Sequence, residues 1–222
     1  MREWLSYELA DLLLFSERVY WRLFTLENAA LWPMPLLAPL AILAALALHG
    51  RRPDGGLRLL FALLALSWLS IGSNFIMQRY APIHWAMSYA GPVFFLQAIA
   101  FAVMAFAGPP RGKNPLPAIR AGYALILAGT LGYPLLSLLQ SRTLADAEIA
   151  GIAPDPTALV SLGAALLTTG HWHRLTACAV PFLWLAQSTL TLYVLTGAAA
   201  FAPGLGLIAG GLALFLTTSP RK

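Results

Sequence analysis

Side chains able to bind a solute or move protons are few in this sequence, and most stand near the ends of apolar blocks. The candidates for lining a ligand site are Glu27, Asn74, Gln78, His84, Gln97, Gln140 and Asp155. The carboxylates supply negative charge, while the amides and the imidazole donate and accept hydrogen bonds. This combination is typical of a pocket for a small polar or cationic solute.

Metal and cofactor chemistry has little support in the sequence. His171 and His173 form a His-x-His pair without a neighbouring carboxylate or cysteine, which is a poor metal site. The single cysteine, Cys178, excludes an internal disulfide and a Cys-x-x-Cys redox pair. Both lysines, Lys113 and Lys222, stand outside the apolar blocks, so no lysine is placed to bind retinal. We therefore predict no metal and no cofactor.

Composition places these residues in a membrane protein. Of the 222 residues, 59% are hydrophobic and only 10% are charged, against roughly 25% charged in soluble domains. The apolar residues fall in blocks of about 20, the length of helix that crosses the hydrocarbon core of a bilayer. The net charge of +5 comes from short loops between blocks rather than from one basic face, so nucleic acid is not a predicted partner. The predicted fold class is an all-α integral membrane protein.

The blocks predict a bundle of about seven transmembrane helices with an N-terminal interfacial helix. Residues 1–24 place apolar side chains at helical spacing and acids and arginines off that stripe, which is typical of an amphipathic helix lying in the interface. Residues 25–219 then form one transmembrane domain, followed by a basic cytoplasmic tail at 220–222. The predicted spans are 27–49, 57–78, 83–107, 118–140, 156–169, 174–196 and 198–217.

Positive charges predict the orientation, because Lys and Arg near span ends are retained on the cytoplasmic side. With seven spans and the N-terminus outside, nine basic residues are cytoplasmic and five are external. If the fifth block entered and left on the same side, the count would be six inside and eight outside. Seven spans, an external N-terminus and a cytoplasmic C-terminus in an inner (plasma) membrane fit better.

The fifth block is the shortest, and two interpretations of it stay open. It could belong to a discontinuous span that includes the apolar residues 149–153 and breaks at Pro154-Asp155-Pro156, as in transporters that bind solutes at such breaks. The simpler interpretation makes Asp155 a helix N-cap at the outer interface, with Pro156 at the first helical position.

Small residues in the last span predict close helix packing. Gly206 and Gly210 have the small-xxx-small spacing. The neighbour is expected within the same chain, and a homodimer through this face is the alternative.

In the seven-span topology most candidate site residues converge at the outer side. Gln97 and Gln187 lie deeper, so a polar path is expected to lead from an external mouth toward the middle of the bilayer. The plainer interpretation is that Asn, Gln and His side chains cross-link helices without a ligand.

Several short motifs resemble an uncharacterised group of small bacterial integral membrane proteins, a domain family of unknown function. The motifs are Tyr20-Trp21-Arg22-Leu23-Phe24 with Asn28 and Trp32-Pro33, His84-Trp85-Ala86 with Phe95-Leu96-Gln97-Ala98, and Pro154-Asp155-Pro156-Thr157 with Leu162-Gly163. The resemblance covers nearly the whole chain and implies a bacterial multi-span protein without naming an activity or a ligand. The relatives often have Cys where this chain has Asp155, which weakens the case for a required carboxylate there.

The sequence thus predicts a permease-like or solute-binding membrane protein whose partners are the bilayer and a small polar or cationic solute. A membrane enzyme acting on lipid is one alternative, for which His84 with Asp155 or Glu27 is the available acid–base pair. An accessory subunit of a membrane complex is the other. Enzymatic activity is less expected than binding.

Overall fold

A computed structural model describes residues 15–110, 112 and 114–218, and the described residues form helices without a β-strand. The helices are α1 Glu17–Ala30, α2 Met34–Arg51, α3 Pro53–Ser70, α4 Ala90–Ala107, α5 Leu116–Leu127, α6 Tyr133–Leu139, α7 Pro154–Leu167, α8 His171–Thr196 and α9 Phe201–Thr218. Most of the interfacial helix predicted at 1–24 and the tail at 220–222 lie outside the described residues. The part of the predicted interfacial helix that the structure describes belongs to α1, which ends at Ala30.

Among the described residues, five helical segments are long and apolar enough to cross a membrane: Met34–Arg51, Pro53–Tyr80, Trp85–Ala107, Leu116–Leu139 and His171–Thr196. Each segment also has large apolar side chains exposed on the outside of the bundle, among them Leu36, Leu66, Leu96, Leu135 and Leu183, and this is the surface that lipid would cover. The sixth apolar segment, Phe201–Phe215, is shorter, and α7 has only 14 residues. The prediction of a helical membrane protein is therefore supported, while five rather than seven helices have full spanning length.

Two spanning segments contain widened, π-helical turns. Residues Ile71–Tyr80 continue α3 in this form, and Ala128–Gly132 join α5 to α6. The hydrogen bond of a π turn spans one residue more than that of an α-helical turn. The side chains that follow are therefore rotated relative to their positions in a regular α-helix. Tyr80 closes the first widened segment and Tyr133 follows the second, and both side chains are buried.

Helix α7 is the centre of the bundle, with every residue from Pro154 to Leu167 buried. It packs against α3, α5, α8 and α9. The close approach to α5 depends on Gly122 and Gly163, because a Cβ on Gly163 would lie 2.7 Å from the Gly122 carbonyl oxygen. A polar outer face is unnecessary for α7, since no part of it meets solvent.

The chain reaches α7 through a buried irregular segment, 149–153, in which the N–H groups of Ile152 and Ala153 donate to the Ile149 carbonyl. Gly151 has φ +92°, and a Cβ there would lie 2.7 Å from the Ala38 Cβ on α2. Its backbone N–H donates to the Thr157 hydroxyl at 2.8 Å, which fixes the segment onto the first turns of α7. Glycine is required because the backbone is in the left-handed region and touches a neighbouring helix.

The two ends of 147–168 contact opposite ends of the bundle. At the end that carries α1, here called the α1 end, Asn28 Nδ2 donates to the carbonyls of Ala145 and Ala147. At the opposite end, Asn114 Nδ2 donates to the Leu167 carbonyl, and Arg174 Nε donates to the Thr168 carbonyl. The segment therefore passes through the protein from one end to the other.

The small-residue face of α9 packs inside the chain. A Cβ on Gly206 would lie 3.1 Å from Leu159 Cδ1, and one on Gly210 would lie 2.5 Å from Leu162 Cδ1. Both leucines belong to α7. This face of α9 therefore contacts α7 within the same chain.

Candidate functional site

Asp155 lies at the centre of a polar site inside the bundle. Its side chain is 0% exposed, and it stands in the first turn of α7, where the helix dipole favours a carboxylate. The Trp184 indole donates to Oδ1 and the Ser188 hydroxyl to Oδ2, both at 2.6 Å. The simpler sequence interpretation was wrong: the N-cap is Ala153, Pro154 begins the helix, and Asp155 is buried rather than interfacial.

The indoles of Trp184 and Trp68, which lie on two helices that pack against α7, donate hydrogen bonds to side chains of α7. Trp184 on α8 packs edge-on against Phe94, with 5.2 Å between ring centroids, and Phe94 lies 4.8 Å from Trp68 on α3. The Trp68 indole donates to the Ser161 hydroxyl at 3.0 Å. This aromatic chain is the reason Asp155 has a fixed position, since both indoles are locked by packing.

Glu148 brings a second carboxylate into the same interior region. Glu148 is 4% exposed and directly precedes the irregular segment, 149–153, that leads to Asp155. Its nearest cation is Arg142, whose Nη2 lies 3.8 Å from Oε2. The other oxygen, Oε1, has no hydrogen-bond partner. Glu148 and Asp155 are close enough for their charges to act on each other.

Three tyrosines surround these carboxylates. Burial raises the pKa of the Tyr20 hydroxyl, and the charges of Asp155 and Glu148 raise it further. Tyr133 is within electrostatic reach of both carboxylates, and Tyr80 of Asp155. We call Glu148, Asp155, Tyr20, Tyr80 and Tyr133 the acidic cluster.

The acidic cluster contains polar atoms that nothing in the described chain satisfies. The Tyr133 hydroxyl is buried and makes no hydrogen bond, and the same holds for Glu148 Oε1. The Tyr80 hydroxyl lies next to the Gln187 and Thr191 side chains. A buried polar atom without a partner costs about 1–3 kcal/mol. Two such atoms in one cluster indicate a position that a bound water or solute fills.

An open cavity of about 740 Å³, here called the vestibule, lies at the α1 end beside the acidic cluster. Its lining comes from α1, the 140–146 loop and the α8–α9 connection: Glu17, Arg18, Trp21, Arg22, Thr25, Gln140, Arg142, Asp146, Thr196 and Ala199. Arg142 belongs both to the vestibule wall and to the Glu148 pair. It therefore separates the open cavity from the buried carboxylates.

Comparison with known proteins gives a family and no activity. The model of a family of unknown function, DUF6064, matches residues 17–210. The chain belongs to that family. No curated protein and no solved structure matches it. The resemblance to an uncharacterised domain family is thereby confirmed.

In this DUF6064 chain, Glu27 is not at the start of the first span. It lies in α1, is 1% exposed and forms an ion pair with Arg79. Burial raises the pKa of Glu27, and Arg79 opposes that shift. The pair ties α1 to the end of the widened segment after α3. Glu27 is thus a cross-link at the α1 end and does not line the vestibule.

Asn74, Gln78 and His84 are also placed outside the vestibule. Gln78 Nε2 donates to Asn74 Oδ1, and Asn74 Nδ2 donates to the Ser70 hydroxyl, which makes a ladder along one helix. The His84 ring packs 5.7 Å from Tyr80, and burial lowers its pKa. The plainer interpretation of these three residues, packing without a ligand, describes their contacts.

Gln97 and Gln140 have different surroundings. Gln97 is 2% exposed and donates to the Thr176 carbonyl at 3.2 Å, so it joins α4 to α8. Gln140 is exposed and lines the vestibule, where its Oε1 accepts from Arg142 Nε at 3.1 Å. Of the seven predicted residues, the structure therefore places Gln140 and Asp155 at the site.

Sequence reasoning missed Glu148, Arg142 and the tyrosines. A signal for Glu148 was present, since it stands directly before the apolar run Ile149-Ala150-Gly151-Ile152-Ala153. Arg142 and the tyrosines carry no such signal, because arginine and tyrosine are ordinary residues at membrane interfaces.

The described residues hold no group of three or more His, Cys, Asp or Glu side chains placed to bind a metal ion. His84 makes no hydrogen bond to Asp155 or Glu27 within the part of the chain described. The two carboxylates are engaged elsewhere, Asp155 with Trp184 and Ser188 and Glu27 with Arg79. The acid–base pair expected for a lipid-modifying enzyme is therefore not formed.

Proposed function

We propose that this protein is a solute-binding or permease-like membrane protein whose acidic cluster binds a small cation. The observation that supports it is the pair of buried carboxylates, Glu148 and Asp155, together with the unpaired Glu148 Oε1 and the unpaired Tyr133 hydroxyl. Two negative charges in a low-dielectric interior are unstable unless they are paired, protonated or solvated. Asp155 accepts only neutral donors, and Glu148 has one distant guanidinium.

The chemistry of the cluster favours a cation over a neutral sugar or an anion. Carboxylate, amide and phenol oxygens accept hydrogen bonds from an ammonium or guanidinium group. The Tyr20 and Tyr80 rings meet edge to face, with 6.0 Å between centroids, and aromatic ring faces attract positive charge.

The vestibule is the proposed entry route. Apart from Arg142, its charged lining is balanced, with Arg18 and Arg22 against Glu17 and Asp146. A cation can thus approach without crossing a strongly positive field. In our proposal the vestibule opens outward, in agreement with the orientation predicted from the distribution of Lys and Arg.

The proposed topology has seven passes. Residues 147–168 are buried throughout and contact opposite ends of the bundle, which supports a fifth pass made of a short irregular segment followed by α7. Irregular backbone at membrane depth is tolerated where protein covers it, and transporters bind solutes at such breaks. Asp155 lies at this break.

The test is native mass spectrometry of the protein released from detergent, followed by calorimetric titration with ammonium and guanidinium salts. Wild type is compared with Glu148→Gln and with Asp54→Asn. Asp54 is an exposed carboxylate on α3 at the opposite end, so its loss controls for net charge. We expect a small-molecule adduct or a saturable cation signal in wild type and Asp54→Asn, and its loss in Glu148→Gln.

An identical signal in wild type and Glu148→Gln would contradict the proposal. Absence of any adduct or cation binding in all three proteins would overturn it in favour of an accessory subunit, whose polar residues only hold helices together.

A further inference from the structure

The guanidinium of Arg142 is held in a well-defined position at the floor of the vestibule. It lies over the Trp21 ring, with 3.5 Å from Cζ to the ring centroid. Nε donates to Gln140 Oε1 at 3.1 Å, Nη1 donates to the Asp146 carbonyl at 3.2 Å, and Nη2 lies 3.8 Å from Glu148 Oε2. The side chain is only 11% exposed.

These contacts form a recognition set for a guanidinium group. An aromatic face, a carboxylate and two neutral acceptors match the planar, fork-like arrangement of N–H donors that distinguishes guanidinium from ammonium. Three parts of the chain contribute. Helix α1 provides Trp21, and the 140–146 loop provides the Gln140 amide and the Asp146 carbonyl. Glu148 stands directly before the irregular segment 149–153. The position is thus built by tertiary structure around a guanidinium.

Arg142 fills this position incompletely. Its distance to Glu148 is 3.8 Å, whereas charge-assisted hydrogen bonds are usually about 2.7–2.9 Å. Glu148 Oε1 stays without any partner although the residue is 4% exposed. The vestibule next to Arg142 has room for the displaced side chain.

We infer that Arg142 is a tethered occupant of a guanidinium-binding site, and that the solute is a small guanidinium-bearing cation that displaces it from Trp21 and Glu148. This inference rests on the proposed function and names its substrate class. Binding requires Arg142 to leave, so the apparent affinity of the site equals its intrinsic affinity multiplied by the fraction of molecules in which Arg142 has left.

The experiment measures methylguanidinium and methylammonium binding by isothermal titration calorimetry in detergent. It compares wild type, Arg142→Ala and the double variant Arg142→Ala/Glu148→Gln. Arg120→Ala removes an exposed arginine on α5, away from the vestibule, and serves as the matched control. We expect Arg142→Ala to bind methylguanidinium about tenfold tighter than wild type, because the internal competitor is gone. We expect binding to be lost in the double variant and unchanged in Arg120→Ala.

Arg142→Lys provides a second variant if the alanine protein does not fold. Lysine keeps the charge but lacks the planar fork, so it is the weaker competitor, and methylguanidinium affinity should rise from the wild-type value. Size-exclusion profiles of all variants report folding independently of binding.

Other outcomes separate the two proposals. Preference of Arg142→Ala for methylammonium would leave the cation site standing and overturn the guanidinium class. Equal methylguanidinium affinity in wild type and Arg142→Ala would overturn displacement. Absence of binding of either cation in every folded variant would overturn this inference together with the proposed function.

Discussion

At the scale of single residues, the Tyr133 hydroxyl distinguishes a cluster that binds a ligand from one that only packs helices together. Its hydroxyl is buried without a partner, so it contributes nothing to stability through hydrogen bonding. Replacing Tyr133 by Phe should leave stability unchanged or raise it by about 1 kcal/mol. The same change should weaken cation binding about tenfold, because a hydroxyl that faces the solute is lost.

Chemical unfolding and calorimetric titration of Tyr133→Phe check the two effects separately. Tyr193→Phe is the control, since Tyr193 is an exposed tyrosine on α8. Unchanged cation affinity in Tyr133→Phe would assign the cluster to packing alone.

Asp155 is expected to matter for stability as well as for binding. Trp184 and Ser188 both donate to its carboxylate, and an asparagine amide nitrogen cannot accept the second of these bonds. Asp155→Asn should therefore destabilise the protein by about 1–3 kcal/mol through one unsatisfied buried donor. Denaturant titration of Asp155→Asn against Asp155→Asn/Ser188→Ala measures this, since the double variant removes the orphaned hydroxyl and should recover part of the loss.

His84 predicts a pH dependence at the α1 end. Burial lowers its pKa, so the folded protein prefers the neutral ring that packs on Tyr80 and Phe15. The resulting stability is present above the ordinary histidine pKa of about 6.5 and is lost as the pH falls through the lowered folded value. Thermal unfolding at about pH 7.5 and about pH 5 should show a smaller loss in His84→Phe than in wild type.

The control for this pH effect is His171→Phe, because His171 is exposed at the opposite end. An equal acid-induced loss in wild type and His84→Phe would assign the effect to other groups.

At the scale of elements, the site depends on how closely α5 and α7 approach. A methyl group on Gly163 would lie 2.7 Å from the Gly122 carbonyl oxygen, whereas one on Gly132 would meet nothing within 4 Å. Gly163→Ala should destabilise the protein by about 1–3 kcal/mol through overpacking. Gly132→Ala should be neutral or stabilising by up to about 1 kcal/mol, because alanine favours helix.

Denaturant titration of both variants provides a matched comparison, since each adds one methyl group to a helical segment of the bundle. Cation affinity should fall in Gly163→Ala because α7 carries Asp155. Equal stability of the two variants would mean that α5 and α7 do not pack as closely as described.

Element bounds were partly predictable from the sequence. The predicted spans 57–78, 83–107 and 174–196 lie within a few residues of the spanning segments Pro53–Tyr80, Trp85–Ala107 and His171–Thr196, because a long apolar run is a local property that sequence displays directly. The burial of the first turn of α7 was not predicted, since Pro154 and Asp155 are buried by neighbouring helices that the local pattern does not contain. Glu27 was misplaced for a related reason: the break at residues 31–33 divides an apolar stretch whose composition hardly changes.

At the scale of the whole molecule, the proposed seven passes predict the accessibility of four positions. Pro82 and Asp146 lie at the α1 end, and Asp54 and His171 lie at the opposite end; Asp146 is half-buried in the vestibule wall, and the other three residues are exposed. In a background with Cys178 replaced by serine, single cysteines at Pro82 and Asp146 should react with an impermeant maleimide from outside intact cells. Those at Asp54 and His171 should react only in inverted vesicles.

Labelling of Asp146→Cys and His171→Cys from the same side would show that 147–168 does not cross the bilayer. External labelling of Asp54→Cys would instead reverse the orientation while keeping the number of passes.

The sequence by itself determined the solvent in which this protein folds and the positions of its long helices. Both depend on apolar runs that are continuous along the chain, so no knowledge of neighbours is needed. Only the tertiary structure decided the site. Glu148 lies within electrostatic reach of Asp155, and Arg142 lies over Trp21. Both arrangements arise because α7 is buried at the centre of the bundle and helices from distant parts of the chain pack around it. Such pairings depend on helix rotation and depth, which short polar motifs in an apolar sequence do not encode locally.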